Sequence, residues 1–360
     1  MLLSDLTSDK NNNFSLIRVI SAMAVLVSHS FALATGDPGN EPLRGIIGIT
    51  PGHIAVDVFF ITSGFLVTRS LLYRKDVVEF AVSRMLRIYP GLIVAVLFCL
   101  AIGATESSVP VIAFITDKQT WTFAAYNSSI FITDYQELPG VFEGLPFDNS
   151  VNGSLWTLPW EIRMYIILGI LGGLSFISKF IFRINWVPFI IITIFLFSLL
   201  LFFYFNFMTD VRGQPYKLFR FSTVFFFGGS LYVLSKYIYL NKQVFLTCVL
   251  FLVFSCFNHD FFFVIYTLVL PYVVLYLAYV PSGIVRKYNA VGDYSYGIYI
   301  YAWPIQQLVV SYFVDISSIQ LVFFSGICTL FMAYLSWNLI ESRAMRMKKY
   351  FRLLPSIRTF

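Results

Sequence analysis

Two ionisable residues share the first apolar stretch of the chain, Phe14 to Thr35, which reads FSLIRVISAMAVLVSHSFALAT. A neutral imidazole with a free ring nitrogen takes a proton from an attacking hydroxyl, so His29 is a candidate general base. Arg18 precedes it by eleven residues. At about 100° per residue this closes three helical turns to within about 20°, placing both groups on one face with ~16 Å between their backbones. A guanidinium binds phosphate as a fork, so Arg18 suits an anionic ligand. The plainer alternatives stay open. His29 fits as a hydrogen-bonded packing residue and Arg18 as a side chain reaching to the membrane interface.

Three further groups carry polar chemistry inside apolar surroundings. Ser63-Gly64-Phe65 puts a hydroxyl beside a glycine, which either lets a ligand approach the backbone or glues two helices together. Arg84 and Arg87, three apart on one helical face, either bind phosphates or anchor the inner surface, with Pro90 shaping the start of the following span. Finally, NGSLWTLPWEIR (residues 152–163) carries Trp156 and Trp160, expected at the membrane interface, and then Glu161 and Arg163 within a span. A carboxylate at such depth needs a partner or a function. Glu161 is expected to meet His29 or a substrate hydroxyl, since two residues on a helix place Arg163 about 200° away from it.

The elements that must position these residues are membrane helices. Hydrophobic residues make up 58% of the 360, charged ones 12%, and the mean hydropathy is +0.77, outside the range of a soluble domain. The expected architecture is all-α and polytopic, one integral membrane domain over 1–360 with about ten transmembrane helices. The spans are expected at about 14–35, 54–72, 88–104, 155–176, 187–205, 218–234, 244–257, 261–280, 294–313 and 319–340. A long extracytoplasmic loop over about 105–153 holds Trp121, Tyr126, Asn127, Asp134, Tyr135, Glu137 and Asp148, with apolar pieces too short to span.

With both termini cytoplasmic, eighteen lysines and arginines fall on inner segments and five on outer ones. The inner set includes Lys10, the 69–87 connector with Lys75, Lys179, and a tail ending in Arg352 and Arg358. The net charge of +6 is therefore topological, and nucleic-acid binding is not expected. Four cysteines in apolar runs have no paired spacing and read as buried free thiols, with no metal expected. Arg18, His29 and the later spans argue against a cleaved signal peptide, and no internal repeat supports transporter symmetry.

At these residues the chain resembles the acyltransferase 3 family of integral membrane acyltransferases, over nearly its whole length. Arg18 and His29 match that family's Arg-ten-His pattern, Ser63-Gly64-Phe65 its SGF, and Arg84 and Arg87 its R-x-x-R. Trp156, Thr157, Leu158 and Glu161 match W-S/T-L-x-x-E, Tyr294 to Tyr299 the late S-Y-x-x-Y segment, and Ile340-Glu341 the closing I-E. Two departures stand out: Ala302 replaces a histidine common before the aromatic-Pro pair, and Ser342-Arg343 replaces x-Pro. No appended soluble hydrolase-like domain is expected.

The resemblance implies transfer of an acyl group, commonly acetyl from acetyl-CoA, to a hydroxyl of a surface carbohydrate such as O-antigen, capsule or an exopolysaccharide, at the bacterial cytoplasmic membrane. His29 and Glu161 are the expected catalytic pair. Arg18, Arg84, Arg87, Ser63 and Gly64 are expected on the donor, and Trp156, Trp160 and Tyr299 on the acceptor. A permeation path lined by Arg18, His29 and Glu161 is the competing reading.

Overall fold

The structure, a computed structural model, describes residues 1–7, 11–74, 76–129, 135–183 and 185–351. Lys10, Lys75, Asp134, Arg352 and Arg358, and the side chains of Arg74 and Lys179, lie outside the described residues. The described chain is helical, with two isolated β-bridges, Leu2 to Tyr239 and Ser107 to Val141.

Long helices occupy each expected stretch: α1 (Phe14–Thr35), α2 (Pro51–Arg74), α3 (Val77–Glu106), α4 (Leu158–Phe182), α5 (Val187–Phe207), α6 (Gln214–Val233), α7 (Lys242–Ser255), α8 (His259–Tyr279), α9 (Ser295–Tyr312) and α10 (Ser318–Ser336). Six of them, α1, α2, α3, α5, α8 and α10 with its continuation to Arg346, are long and apolar enough to cross a bilayer. The protein is a multi-pass membrane protein.

Local chemistry sets the helix ends. Gly36 closes α1 in the left-handed region (φ 73°), its amide returning to the Ala32 carbonyl. Asp76 caps α3, accepting from the Glu79 amide at 2.9 Å. That cap starts α3 well before residue 88, so Arg84, Arg87 and Pro90 lie inside the helix and not ahead of it. Ser317 and Gln320 form a capping box on α10.

The bundle is organised around α9, fourteen of whose eighteen residues are buried. A helix enclosed by protein needs no apolar surface for lipid, which explains its Tyr, Gln and Trp content. Its glutamine amide nitrogens are met by neighbours, though their oxygens are not: Gln306 Nε2 donates to the Leu26 carbonyl (2.8 Å) and Ser30 Oγ (2.6 Å), and Gln307 Nε2 to the carbonyls of Phe147 (2.8 Å) and Ser150 (2.9 Å). α2 packs along α6 through glycines on both sides. A Cβ on Gly64 would lie 1.9 Å from the Phe225 carbonyl oxygen, and one on Gly228 2.2 Å from that of Ile61.

The 105–153 loop folds back as two short helices, Val111–Thr116 and Lys118–Ser129, with Phe114 and Phe123 buried beneath them. Residues 150–155 are buried, and Asn152 Nδ2 donates to the Ile300 carbonyl at 3.0 Å. Trp156 therefore sits in a 3₁₀ turn, Gly153–Thr157, tucked into the bundle, and α4 starts only at Leu158. Irregular backbone of this kind is tolerated where protein encloses it or where it lines a cavity. Trp160 is 5% exposed and Trp156 half-buried, so both pack into protein. All four cysteines are free; Cys99 is buried, but Cys328 is exposed, contrary to the expectation of four buried thiols.

Candidate active site

Three cavities lie in series through the bundle. The largest, about 300 Å³, is lined by Arg18, Ser63, Arg84, Arg87, Glu161, Tyr165, Asp293 and Lys348 among others. A constriction of about 40 Å³ shares Arg18, Glu161 and Tyr296 with it and adds Phe59, Phe60, Thr157 and Tyr299. Val56 and Tyr299 then pass into a third space of about 200 Å³, which holds His29 with Glu41, Thr50, His53, Trp156 and Arg220. Arg18 and His29 thus line neighbouring cavities that share wall residues.

At the arginine end, charge is organised by Asp293, in the loop before α9. Its Oδ2 receives Arg18 at 3.0 Å and Arg87 at 2.6 Å, and Arg87 also reaches Glu341 at 3.4 Å. Burial raises the Asp293 pKa, but Arg18 and Arg87, with the Ser295 hydrogen bonds, outweigh it and bring the group to about 2. Glu341 is held in turn by Ser336 Oγ at 2.9 Å, where the end of α10 widens into a π-helical turn, Trp337–Glu341.

Arg84 differs from its neighbours. It has no carboxylate partner among the described residues, its Nε is buried without a hydrogen bond, and its guanidinium lies 5.8 Å from the Tyr165 ring centre. Among the described residues it is the arginine of this cavity without a carboxylate partner.

Glu161 belongs to the arginine end. Its Oε1 accepts from Tyr165, one turn on, and from Ser63 at 3.3 Å; Ser63 Oγ also lies 2.7 Å from the Tyr165 hydroxyl. It makes no hydrogen bond with His29 and does not line the histidine cavity. The late start of α4 explains this: Glu161 sits in the first helical turn, on the face toward α2, past the level of Trp156. Arg163, on the other side, lies 4.3 Å from the Trp160 ring centre. Of the SGF trio Ser63 alone lines one of these three cavities; Gly64 is the close-packing point against α6 and Phe65 is in the core. Trp160 lines none of these three cavities and packs on Phe221.

At the other end, the His29 ring meets Trp303 edge-on, centroids 4.8 Å apart. Its Nδ1 is buried without a partner, leaving Nε2 as the nitrogen with access to the cavity. Tyr299 lies at the junction, its hydroxyl 2.6 Å from Thr157 Oγ1. Ser28 donates to Glu41, fixing that carboxylate at the cavity wall.

The sequence reading missed the residues on α2 and α6. Asp57, 2% exposed, receives Arg220 Nε (3.1 Å) and Nη2 (2.8 Å) on Oδ1 and the Tyr266 hydroxyl (2.9 Å) on Oδ2, and His53 Nε2 lies 3.4 Å from Oδ2. The signal was available: His53 and Asp57 are four apart at the start of an apolar run, and Arg220 stands within another.

Comparison with known proteins decides the class. An acyltransferase domain model of the acyltransferase 3 family matches residues 11–338. The chain belongs to the acyltransferase 3 family. Over 342 residues, 93% of this chain and 96% of the relative, it is 30% identical to a protein of Shigella phage Sf6 described as an O-acetyl transferase. Over 170 residues, 46% of this chain and 45% of the other, it is 29% identical to nodulation protein 10 of Rhizobium leguminosarum bv. viciae. No solved structure matches it. The protein is thus a multi-pass membrane acyltransferase.

Proposed function

We propose that this acyltransferase moves an acetyl group from acetyl-CoA, bound at the arginine end, to a hydroxyl of a lipid-linked or surface carbohydrate at the histidine end. It works as one catalytic unit in a bacterial cytoplasmic membrane. The arginine cavity faces the cytoplasm, where CoA is found, and ten spans leave both termini on that side. The observation that carries this reading is the series of cavities linking Arg84 to His29 through a constriction at Tyr299. The donor's phosphates suit Arg84, whose buried Nε has no protein partner. Arg18 and Arg87, tied to Asp293, supply positive potential around it.

In the transfer step His29 Nε2 takes the proton of the acceptor hydroxyl as its oxygen bonds to the thioester carbonyl carbon. The Tyr299 hydroxyl donates to the carbonyl oxygen as it gains charge. The carbon–sulfur bond then breaks, and the sulfur leaves with the proton that His29 carried. Trp156, at the cavity wall, offers a flat apolar surface to a sugar ring. Glu161, bonded to Ser63 and Tyr165, shapes the donor side, while Gly64 and Trp160 support the site through packing.

The test is free thiol release and ester formation by purified enzyme given acetyl-CoA and unacetylated glycan from a strain lacking the gene. His29→Ala is expected to lower kcat by at least about a hundredfold, the usual worth of a general base. Arg84→Ala is expected to raise the KM for acetyl-CoA about tenfold or more, in line with losing a hydrogen bond to a charged group. Full activity of His29→Ala would remove the base from this scheme.

A further inference from the structure

The histidine cavity holds two imidazoles, His29 and His53. His29 and His53 come together because Gly52 lets the start of α2 approach α1 closely. A Cβ on Gly52 would lie 3.0 Å from the Cβ of Ser28, and the histidines are the next residue along each chain. Both line the same space of about 200 Å³.

Their surroundings differ in kind. Among the described residues no carboxylate bonds the His29 ring, which meets Trp303 edge-on. The His53 ring is backed by Asp57, and Asp57 is itself fixed by Arg220 and Tyr266. A carboxylate facing one ring nitrogen of a neutral imidazole places the proton on that nitrogen and leaves the other as an acceptor. His53 Nε2 is buried and makes no hydrogen bond, but the negative Asp57 Oδ2 3.4 Å away favours the proton on that nitrogen and leaves Nδ1 as the acceptor of a ring that lines the cavity. Glu41, anchored by Ser28 on Oε2 and by Arg44 on Oε1 at 3.2 Å, lines the same space and keeps lone pairs for a further donor. A wall with acceptors at His53 and Glu41 and a tryptophan face suits a ligand that brings several hydroxyl donors on a compact ring.

We propose that His53, held in one tautomer by Asp57, is an acceptor-binding residue: its Nδ1 receives a hydrogen bond from the hydroxyl next to the one being acylated. The substrate class this selects is a sugar bearing a vicinal diol, with one hydroxyl on His29 and its neighbour on His53. The inference rests on the acyl-transfer reading above and deepens it. Asp57, Arg220 and Tyr266 act as positioning residues through His53.

The experiment uses purified full-length enzyme, acetyl-CoA, and unacetylated glycan from a strain lacking the gene. If wild-type enzyme fails to acetylate that glycan, the transfer reading itself falls, and His53 is not the cause. Given transfer, His53→Leu is expected to raise the KM for glycan about tenfold, the worth of one hydrogen bond, with kcat and the KM for acetyl-CoA within about twofold of wild type. His53→Gln, whose amide oxygen still accepts, is expected to recover part of the loss. A collapse of kcat with unchanged glycan KM overturns the proposal in favour of proton transfer by His53. Unchanged glycan KM and kcat overturn it by leaving His53 no part in acceptor binding, and equal loss of both KM values in the two variants overturns it in favour of a structural role.

Discussion

Asp293 is where the energetics of individual residues are most exposed to test, because one carboxylate holds two guanidiniums from different helices, Arg18 of α1 and Arg87 of α3. Its pKa in the folded protein, about 2, lies below the ordinary 3.8. A depressed carboxylate contributes stability that is complete above its unfolded pKa and lost as the pH falls through its folded one. The window is therefore roughly pH 4 down to 2, and the amount is about 2 kcal/mol by the usual conversion. Asp293→Asn in detergent is expected to unfold earlier than wild type near neutrality. The gap between the two is expected to narrow as the pH drops through this window. A gap of constant size from pH 6 to pH 2 would mean that the two guanidiniums do not depend on the charge of Asp293. This residue was legible only in part. Arg18 and Arg87 stood out as charges in or beside apolar runs, but Asp293, in a Gly-Asp-Tyr loop, looked like any turn residue. Its partner assignments require knowing that α1, α3 and the start of α9 converge.

At the scale of helices, the distinction between a ligand-facing glycine and a packing glycine is settled by distance. Gly64 and Gly228 interlock α2 with α6, and a methyl at either would strike backbone carbonyl oxygens, which cannot rotate away. Gly64→Ala is expected to destabilise the fold by more than about 3 kcal/mol, the upper range for overpacking, and to give aggregated material on size exclusion. Gly173→Ala on α4, where nothing lies within 4 Å of the added carbon, is expected to behave as wild type. A well-folded Gly64→Ala enzyme with a raised acetyl-CoA KM would instead return Gly64 to the donor site. Helix positions were readable because apolar length and turn residues report them locally, as at Gly36 and the Ser317 capping box. The start of α4 was not. Residues 150–157 are held by bonds to α9, such as Asn152 to Ile300 and Trp303 to Ser150, and long-range contacts of this sort leave no periodicity to read.

Across the whole molecule, two cavities are separated by a narrow waist, an arrangement that the proposed function uses to join substrates from opposite sides of a membrane. Arg18 and His29 on one helical face already implied such a route, since the same helix carries both ends of it. The waist itself comes from four helices and a 3₁₀ turn meeting at Arg18, Phe59, Thr157, Glu161, Tyr296 and Tyr299, a convergence that no single segment encodes. It leads to a test of sidedness that does not depend on activity. In a background with the four native cysteines replaced by serine, Ser63→Cys places a thiol in the arginine cavity and Thr50→Cys places one in the histidine cavity. A charged, membrane-impermeant methanethiosulfonate is expected to modify Ser63→Cys in inside-out vesicles and leave it untouched in intact spheroplasts. Thr50→Cys is expected to show the reverse, because the waist of about 40 Å³ is too small to pass the reagent. Modification of both thiols from one face would show that the cavities open together. Acetyl donor and acceptor would then have to share a side, and the direction of transfer argued from the arginine end to the histidine end would fail.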